Sequence, residues 1–155
     1  MKKIKIICVG GGWVTNTRHI PALKASGKFD IIGVVSRQPD RSQSTAEKHG
    51  LPDYSTELDF NVPWQAEADA IMIGTVPHVH AEIAKKALLA GKSVLTEKPM
   101  VLDPKEALEL QEIATEKNLT LAVVHNFQFA NCATKLKALM ASGEFGNIQA
   151  VYGVQ

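Results

Sequence analysis

The apolar run Ser93–Thr96 ends on three residues that can do chemistry together, Glu97, Lys98 and Pro99. Glutamate supplies a hydrogen-bond acceptor, lysine supplies an exchangeable proton, and proline supplies a turn without an amide donor. A lysine can act as general acid or base when partial burial or a neighbouring positive charge lowers its pKa. The alternative is an exposed Glu-Lys pair before an ordinary turn, and these three residues alone do not decide between the two interpretations.

A glycine-rich turn is the second candidate. Three glycines at positions 10–12 follow the apolar run Ile4–Val9 and precede a segment of helical period. In a dinucleotide-binding turn, one glycine makes the tight turn and a second lets backbone approach the pyrophosphate at a helix amino terminus. We assign these roles to Gly10 and Gly12. Thr15 stands where a third glycine or alanine is usual, and a small side chain there still suits helix packing. A plain strand-to-helix connection is the alternative.

The end of the second predicted strand bears on the choice of cofactor. NAD sites of this type place an acid there for the ribose 2′-hydroxyl, whereas NADP sites supply arginine for the 2′-phosphate. This sequence has Ser36 and Arg37 at that point and Arg41 one helical turn later. A serine hydroxyl and planar guanidinium groups suit a phosphate. The sequence therefore predicts a preference for NADP, with NAD as a possible cofactor, unless the two arginines are simply a solvated face.

The elements that must position these residues follow one pattern, in which short β-branched runs alternate with segments of helical period. This pattern predicts an α/β fold with a Rossmann-type doubly wound parallel sheet. The predicted strands are Ile4–Val9, Asp30–Ser36, Asp69–Thr75, Ser93–Thr96, Leu119–His125 and one near Ile148–Val154. The predicted helices span about Val14–Ser26, Asp40–His49, His78–Ala90, Asp103–Lys117 and Ala133–Ser142, and residues 51–66 form a connector with room for one helical turn.

Composition narrows the class of protein. The 155 residues suffice for one domain with a buried core, and the net charge of +1 predicts no broad attraction to nucleic acid or to anionic membranes. Two cysteines, Cys8 and Cys132, form no framework of spacings and favour a reducing compartment. No stretch approaches the roughly 20 apolar residues that span a bilayer. We expect a cytoplasmic protein without a metal site.

Several blocks of the sequence together resemble the glucose-fructose oxidoreductase / inositol dehydrogenase / MocA (Gfo/Idh/MocA) family. Besides the glycine turn and Glu97-Lys98-Pro99, they are HIPAL at 19–23, TVPHVHAE at 75–82, AGKSVL at 90–95, NFQF at 126–129 and GEFGNI at 143–148. Family members look like two-domain NAD(P)-dependent oxidoreductases of sugars, cyclitols or related polyols. The resemblance implies an NAD(P)-binding Rossmann domain at 1–147 and, at 148–155, the start of a truncated C-terminal α/β domain.

The resemblance also implies that the C-terminal substrate domain is absent from this chain. We therefore expect a cofactor-binding half that is inactive as an isolated fragment. The full-length protein would be a homo-oligomer and an oxidoreductase acting on a small-molecule sugar or polyol. The alternative is a non-catalytic dinucleotide-binding sensor or regulatory protein, since some relatives of the family serve as regulators.

Carried over by position, the family pattern implies roles for individual residues. Lys98 would exchange the proton of the reacting hydroxyl, Glu97 would accept from the nicotinamide ribose hydroxyls, and a Pro99 in the cis form would aim the lysine into the cleft. The remaining cofactor-binding residues would be Gly10, Gly12, Trp13 and Val14 at the pyrophosphate, Ser36, Arg37 and Arg41 at the adenosine ribose, Thr75, Pro77 and His80 in the crevice, and Asn126.

Four positions qualify this assignment. His80 could equally hydrogen-bond local backbone. Val76 replaces a proline that is common in the family, and Gln128 replaces a frequent arginine, which removes a charge. His19 comes one residue later after the first glycine than is usual, so we assign it a packing role only.

Overall fold

The computed structural model describes residues 2–144, 146–150 and 152. Contacts within the chain divide it into two units, one running through Val124 and the other beginning at His125. The division of the chain at residue 147, which the sequence suggested, stays a prediction.

The first unit contains a six-stranded parallel sheet in the order β3-β2-β1-β4-β5-β6, which confirms the Rossmann-type doubly wound fold. Its strands are β1 (Ile4–Val9), β2 (Phe29–Val35), β3 (Tyr54–Ser55), β4 (Ala70–Ile73), β5 (Ser93–Thr96) and β6 (Leu121–Val123). The strand order reverses between β1 and β4. In sheets of this kind, ligands bind in the crevice at the carboxyl ends of the strands at that point.

Two predicted strands, β1 and β5, have the bounds expected from the sequence, and the other predicted strands shift or shorten at their ends. The two-residue strand β3 was missed, because two residues carry no readable period. The strand predicted near Ile148–Val154 is not formed by residues 148–150 or 152, and its other residues lie outside the described part of the chain.

The helices follow the predicted order. A π-helical turn at Thr15–His19 continues into α1 (Ile20–Ser26), and the next helices are α2 (Pro39–His49), the single turn α3 (Pro63–Ala66), α4 (His80–Leu89), preceded by a 3₁₀ turn at Pro77–Val79, and α5 (Pro104–Glu116). The second unit contains a 3₁₀ turn at Asn126–Phe129 and α6 (Asn131–Ser142). As predicted, Asp103 caps α5, since its carboxylate accepts from the Lys105 amide and Pro104 takes the first helical position.

Both faces of the sheet are covered by helices, so β1 is apolar on both sides. Ile7 and Val9 join the core beneath α4 and α5, whereas Ile6 and Cys8 join the core beneath α1 and α2. Burial raises the pKa of the Cys8 thiol to about 12, while Cys132 is exposed and both thiols are free. Across the described residues, no helix is both long and apolar enough to cross a membrane.

Candidate functional site

The glycine turn begins at a position that only glycine can occupy. Gly10 has a φ of +106°, and a Cβ built on it would lie 2.5 Å from the carbonyl oxygen of Gly74, at the end of β4. The Gly10 amide donates to the Val35 carbonyl oxygen, and the Gly74 amide donates to the Val9 carbonyl oxygen. The carboxyl ends of β1, β2 and β4 are thereby held together at the crevice.

The next two glycines have different surroundings. A Cβ on Gly11 would lie 3.0 Å from Thr45 Oγ1 and 3.1 Å from the Arg41 carbonyl oxygen, so Gly11 allows the turn to pack against α2. A Cβ on Gly12 would meet nothing within 4 Å. Backbone at Gly12 is therefore open on that side, which fits the close approach of a pyrophosphate. The packing role of Gly11 was not predicted.

The departure from the glycine pattern at Thr15 is matched by a glycine in the neighbouring turn. Thr15 is fully buried, and a Cβ on residue 74 would overlap its Oγ1. Gly74 therefore makes the room that Thr15 occupies, and helix and sheet pack closely despite the larger side chain. No described residue accepts from or donates to Thr15 Oγ1.

We expect Thr15→Val to raise the free energy of unfolding by about 1 kcal/mol, because a buried hydroxyl without a partner costs roughly 1–3 kcal/mol and valine keeps the volume. Urea unfolding followed by circular dichroism measures the change. Thr15→Ser, which keeps the hydroxyl and loses the methyl group, is the matched comparison and should lower stability. A valine variant less stable than the wild type would show that the hydroxyl has a partner.

A pocket of about 410 Å³ lies beside the glycine turn, on the side of α2. Its lining includes Gly12, the indole of Trp13 and the cationic residues Arg41 and Lys48. Trp13 is 67% exposed, and the Arg18 guanidinium lies 5.6 Å from the centre of its ring. Open glycine backbone, an aromatic face and two cations suit a phosphorylated nucleotide.

The structure separates the predicted ribose-binding residues. Arg41 lines the pocket with Trp13, whereas Ser36 and Arg37 lie outside its lining. Ser36 is half-buried and its amide donates to Ser55, while Arg37 is exposed. Lys48 was missed from the sequence, although it follows Arg41 at a spacing of seven residues and so shares a face of α2 with it.

Asn16 ties the glycine turn to α2. Its side-chain amide donates to the carbonyl oxygens of Gly11 and Gly12 at 3.0 and 3.1 Å, and its Oδ1 accepts from His49 Nε2 at 3.0 Å. Partial burial, with smaller effects of Lys48 and Lys24, lowers the pKa of His49. The neutral ring is thereby favoured, and its Nε2–H remains available to donate to Asn16. This contact, which the sequence did not reveal, fixes the turn against α2.

Glu97 and Lys98 follow β5 at the same edge of the sheet. The Glu97 side chain is 18% exposed, and its Oε1 accepts from His19 Nε2 at 2.9 Å while its Oε2 accepts from the Lys98 amide at 3.0 Å. The Lys98-Pro99 peptide bond is cis. Lys98 itself is exposed, so the partial burial considered from the sequence is not found.

His80 lies beneath this turn with no exposed surface. Its Nδ1 is 2.9 Å from the Pro99 carbonyl oxygen and its Nε2 is 3.2 Å from the Thr75 carbonyl oxygen. The contact with Thr75 is of the local backbone kind that the sequence suggested, and a contact of His80 with cofactor stays a prediction. Thr75 lies at the exit of β4 with a buried hydroxyl, and the half-buried Pro77 begins the 3₁₀ turn before α4.

Val14 and Asn126 complete the set of predicted residues. Val14 is half-buried at the beginning of the first helix, directly after Trp13. Asn126 is exposed at the start of the 3₁₀ turn in the second unit, and its contact with cofactor stays a prediction. From the sequence we assigned His19 a packing role only, and its bond to Glu97 therefore adds a residue to the site.

Comparison with known proteins identifies the family. The model of the GFO_IDH_MocA oxidoreductase family, described as an NAD-binding Rossmann fold, matches residues 4–125. This chain belongs to that family. It is 34% identical over 151 residues to the uncharacterized oxidoreductase C115.03 of Schizosaccharomyces pombe, covering 96% of this chain and 40% of the relative. It is also 35% identical over 120 residues to a D-xylose dehydrogenase of Paenarthrobacter nicotinovorans, covering 77% of this chain and 31% of that enzyme.

Solved structures show the same fold. GenD2, from gentamicin A biosynthesis and in complex with NAD, has a TM-score of 0.85 at 28% identity, with 93% of this chain and 40% of GenD2 covered. Scyllo-inositol dehydrogenase of Lactobacillus casei, with bound NAD(H) and scyllo-inositol, has a TM-score of 0.81 at 26% identity. The match covers 95% of this chain and 43% of that enzyme. The chain thus spans about 40% of the length of the relatives it matches.

Proposed function

We propose that this chain is the cofactor-binding half of an NAD(P)-dependent oxidoreductase that transfers hydride between nicotinamide and a sugar, cyclitol or related polyol. The observation that carries the proposal is the position of Lys98. Its side chain leaves the carboxyl end of β5, two strands from the glycine turn that follows β1, with β4 between them. The names of the D-xylose and scyllo-inositol dehydrogenases support the substrate class.

The residues at the crevice fit a dinucleotide. Open backbone at Gly12 and the adjoining helix amino terminus would hold the pyrophosphate, and the pocket beside Trp13 would hold the adenosine ribose. When bound, the nicotinamide ring supplies the carbon that accepts or donates hydride. Lys98 Nζ would take or return the proton of the reacting hydroxyl. Both Glu97 oxygens retain lone pairs, so the carboxylate can still accept from ribose hydroxyls.

A non-catalytic sensor or regulator is the second candidate, and the exposure of Lys98 is the observation that favours it. A lysine side chain that extends into solvent is not held against a reacting hydroxyl, so dinucleotide would be bound without reaction. The enzyme would transfer hydride to or from the nicotinamide, whereas the sensor would only bind the dinucleotide. Formation of reduced nicotinamide from a panel of sugars and cyclitols by the full-length protein supports the enzyme, whereas tight binding without any turnover on the panel overturns it.

Further parts of the proposal concern the whole protein. The NAD(P)-binding domain would comprise residues 1–147, with a C-terminal α/β domain starting at 148–155. The full-length protein would be a cytoplasmic homo-oligomer, and the isolated fragment would be inactive. Size measurement and turnover assays on full-length protein and fragment test these statements.

We expect this chain to bind NADP more tightly than NAD, because Arg41 and Lys48 line the pocket beside the glycine turn. Titration with either cofactor, followed by Trp13 fluorescence, gives both dissociation constants. Arg41→Gln should weaken NADP binding about tenfold, since a hydrogen bond to a charged group contributes roughly 1.5–3 kcal/mol, and should change NAD binding far less.

The exposed Lys105 on α5 provides the control for loss of one positive charge. Lys105→Gln should leave both dissociation constants unchanged. Equal affinity of the wild type for the two cofactors, or tighter binding of NAD, would contradict the preference.

A further inference from the structure

We propose that His19 and His80 are positioning residues that fix the backbone on both sides of Lys98, from two different helical segments. This inference rests on the proposed role of Lys98 in proton exchange. It concerns the turn Glu97-Lys98-Pro99, whose middle side chain is exposed while each neighbour is held by a histidine.

His19 acts on the amino-terminal side of the turn. It closes the π-helical turn, in which the Ile20 amide reaches back to the carbonyl oxygen of Thr15 rather than to that of residue 16. The His19 side chain is 11% exposed, and its Nε2 must carry the proton that it shares with the Glu97 carboxylate, because an ionised carboxylate only accepts. The other Glu97 oxygen accepts from the Lys98 amide. His19 is thus connected to the Lys98 backbone through one carboxylate.

His80 acts on the carboxyl-terminal side. It is the first residue of α4 and fully buried, and its ring lies between the carbonyl oxygens of Pro99 and Thr75. Carbonyl oxygens only accept and a neutral imidazole has one N–H, which we assign to Nδ1 because it is the ring nitrogen nearer to its carbonyl oxygen, that of Pro99. His80 therefore connects the exit of β4 with the turn that follows β5.

The two contacts hold the backbone on both sides of Lys98, while its side chain stays exposed. A reacting group has to be held close to its productive position, and a displacement of about 1 Å can cost a hundredfold in rate. Loss of either histidine would keep the lysine but let its backbone move. The expected effect therefore falls on kcat more than on dinucleotide affinity, because neither histidine lines the pocket beside the glycine turn.

The test uses side chains that keep one donor at a time. Glutamine places its amide near the position of Nε2 and asparagine near that of Nδ1. His19→Gln therefore keeps the donor to Glu97, whereas His19→Leu removes it. His80→Asn keeps the donor to Pro99, whereas His80→Gln places a donor on the Thr75 side instead. The exposed His78 supplies the control, His78→Gln.

The readouts on this chain are the amide ¹H–¹⁵N signal of Lys98, its heteronuclear NOE and the dissociation constant for NADP. His19→Leu should shift the Lys98 signal and lower its NOE, while His19→Gln and His78→Gln should leave both close to the wild type. His80→Asn should disturb the signal less than His80→Gln. In the full-length protein, His19→Leu should lower kcat about 10- to 100-fold, with the dissociation constant for NADP changed less than about threefold.

An unchanged Lys98 signal in His19→Leu, or the same disturbance in the leucine and glutamine variants, would overturn the inference. If the His80 variants do not fold, the His19 series decides. Absence of NADP binding or of turnover in the wild type would instead contradict the proposed function, and the backbone readout at Lys98 would still test the two histidine contacts.

Discussion

Gly10→Ala should lower the free energy of unfolding by about 2–5 kcal/mol. Left-handed backbone costs an alanine roughly 1–2 kcal/mol, and forcing an extra carbon into a packed site costs roughly 1–3 kcal/mol. Both costs apply here, because φ is +106° and the new Cβ would lie 2.5 Å from the Gly74 carbonyl oxygen, which is backbone and cannot rotate away. Urea unfolding at neutral pH measures the loss.

Gly12→Ala is the matched control, two residues along the same turn. A Cβ there would meet nothing within 4 Å, and its φ is not positive, so stability should change by less than about 0.5 kcal/mol. If both alanine variants lost the same stability, the close contact between the ends of β1 and β4 would not be the cause.

Lys98→Ala should slow hydride transfer by the full-length protein about 10²- to 10⁴-fold, the usual contribution of a general acid or base. The Lys98 side chain is exposed, so the variant should keep its stability within about 0.5 kcal/mol and still bind dinucleotide. Steady-state turnover of the best substrate of the panel, together with a cofactor titration, separates the two effects.

Two comparisons sharpen this experiment. Lys98→Arg keeps the positive charge but cannot give up a proton, so it should be about as slow as the alanine variant. Lys105→Ala, on the exposed face of α5, should turn over as the wild type does. Wild-type turnover in Lys98→Ala would remove the role of this lysine in proton exchange.

Local signals in the sequence were sufficient to find five of the six strands of the sheet and the N-cap of α5. β1 and β5 were predicted with their observed bounds, because each is a short run rich in β-branched and apolar residues that is followed directly by a glycine or a charged residue. The cap of α5 follows from Asp103 and Pro104, which act within one turn. The order of these elements placed the glycine turn and Lys98 at one edge of the sheet.

Contacts between residues distant in sequence could not be predicted from such local patterns. His19 and Glu97 are 78 residues apart in the sequence, and His19 lies in a π-helical turn that the residue pattern did not predict. The match between Thr15 and Gly74 likewise joins the first helical segment to the loop after β4, and the two are adjacent only in the folded protein. Local patterns therefore predicted a candidate site, and tertiary packing determined which side chains contact its residues.

Titration of the wild-type chain and of Gly12→Ala with NADP, followed by tryptophan fluorescence, tests whether the glycine turn binds dinucleotide. We expect saturable quenching in the wild type and a loss of affinity in the alanine variant at unchanged stability, since the added methyl group would occupy the open side of the glycine turn. Equal binding of NADP by the two proteins, or no binding by either, would contradict the assignment of this turn as a dinucleotide site.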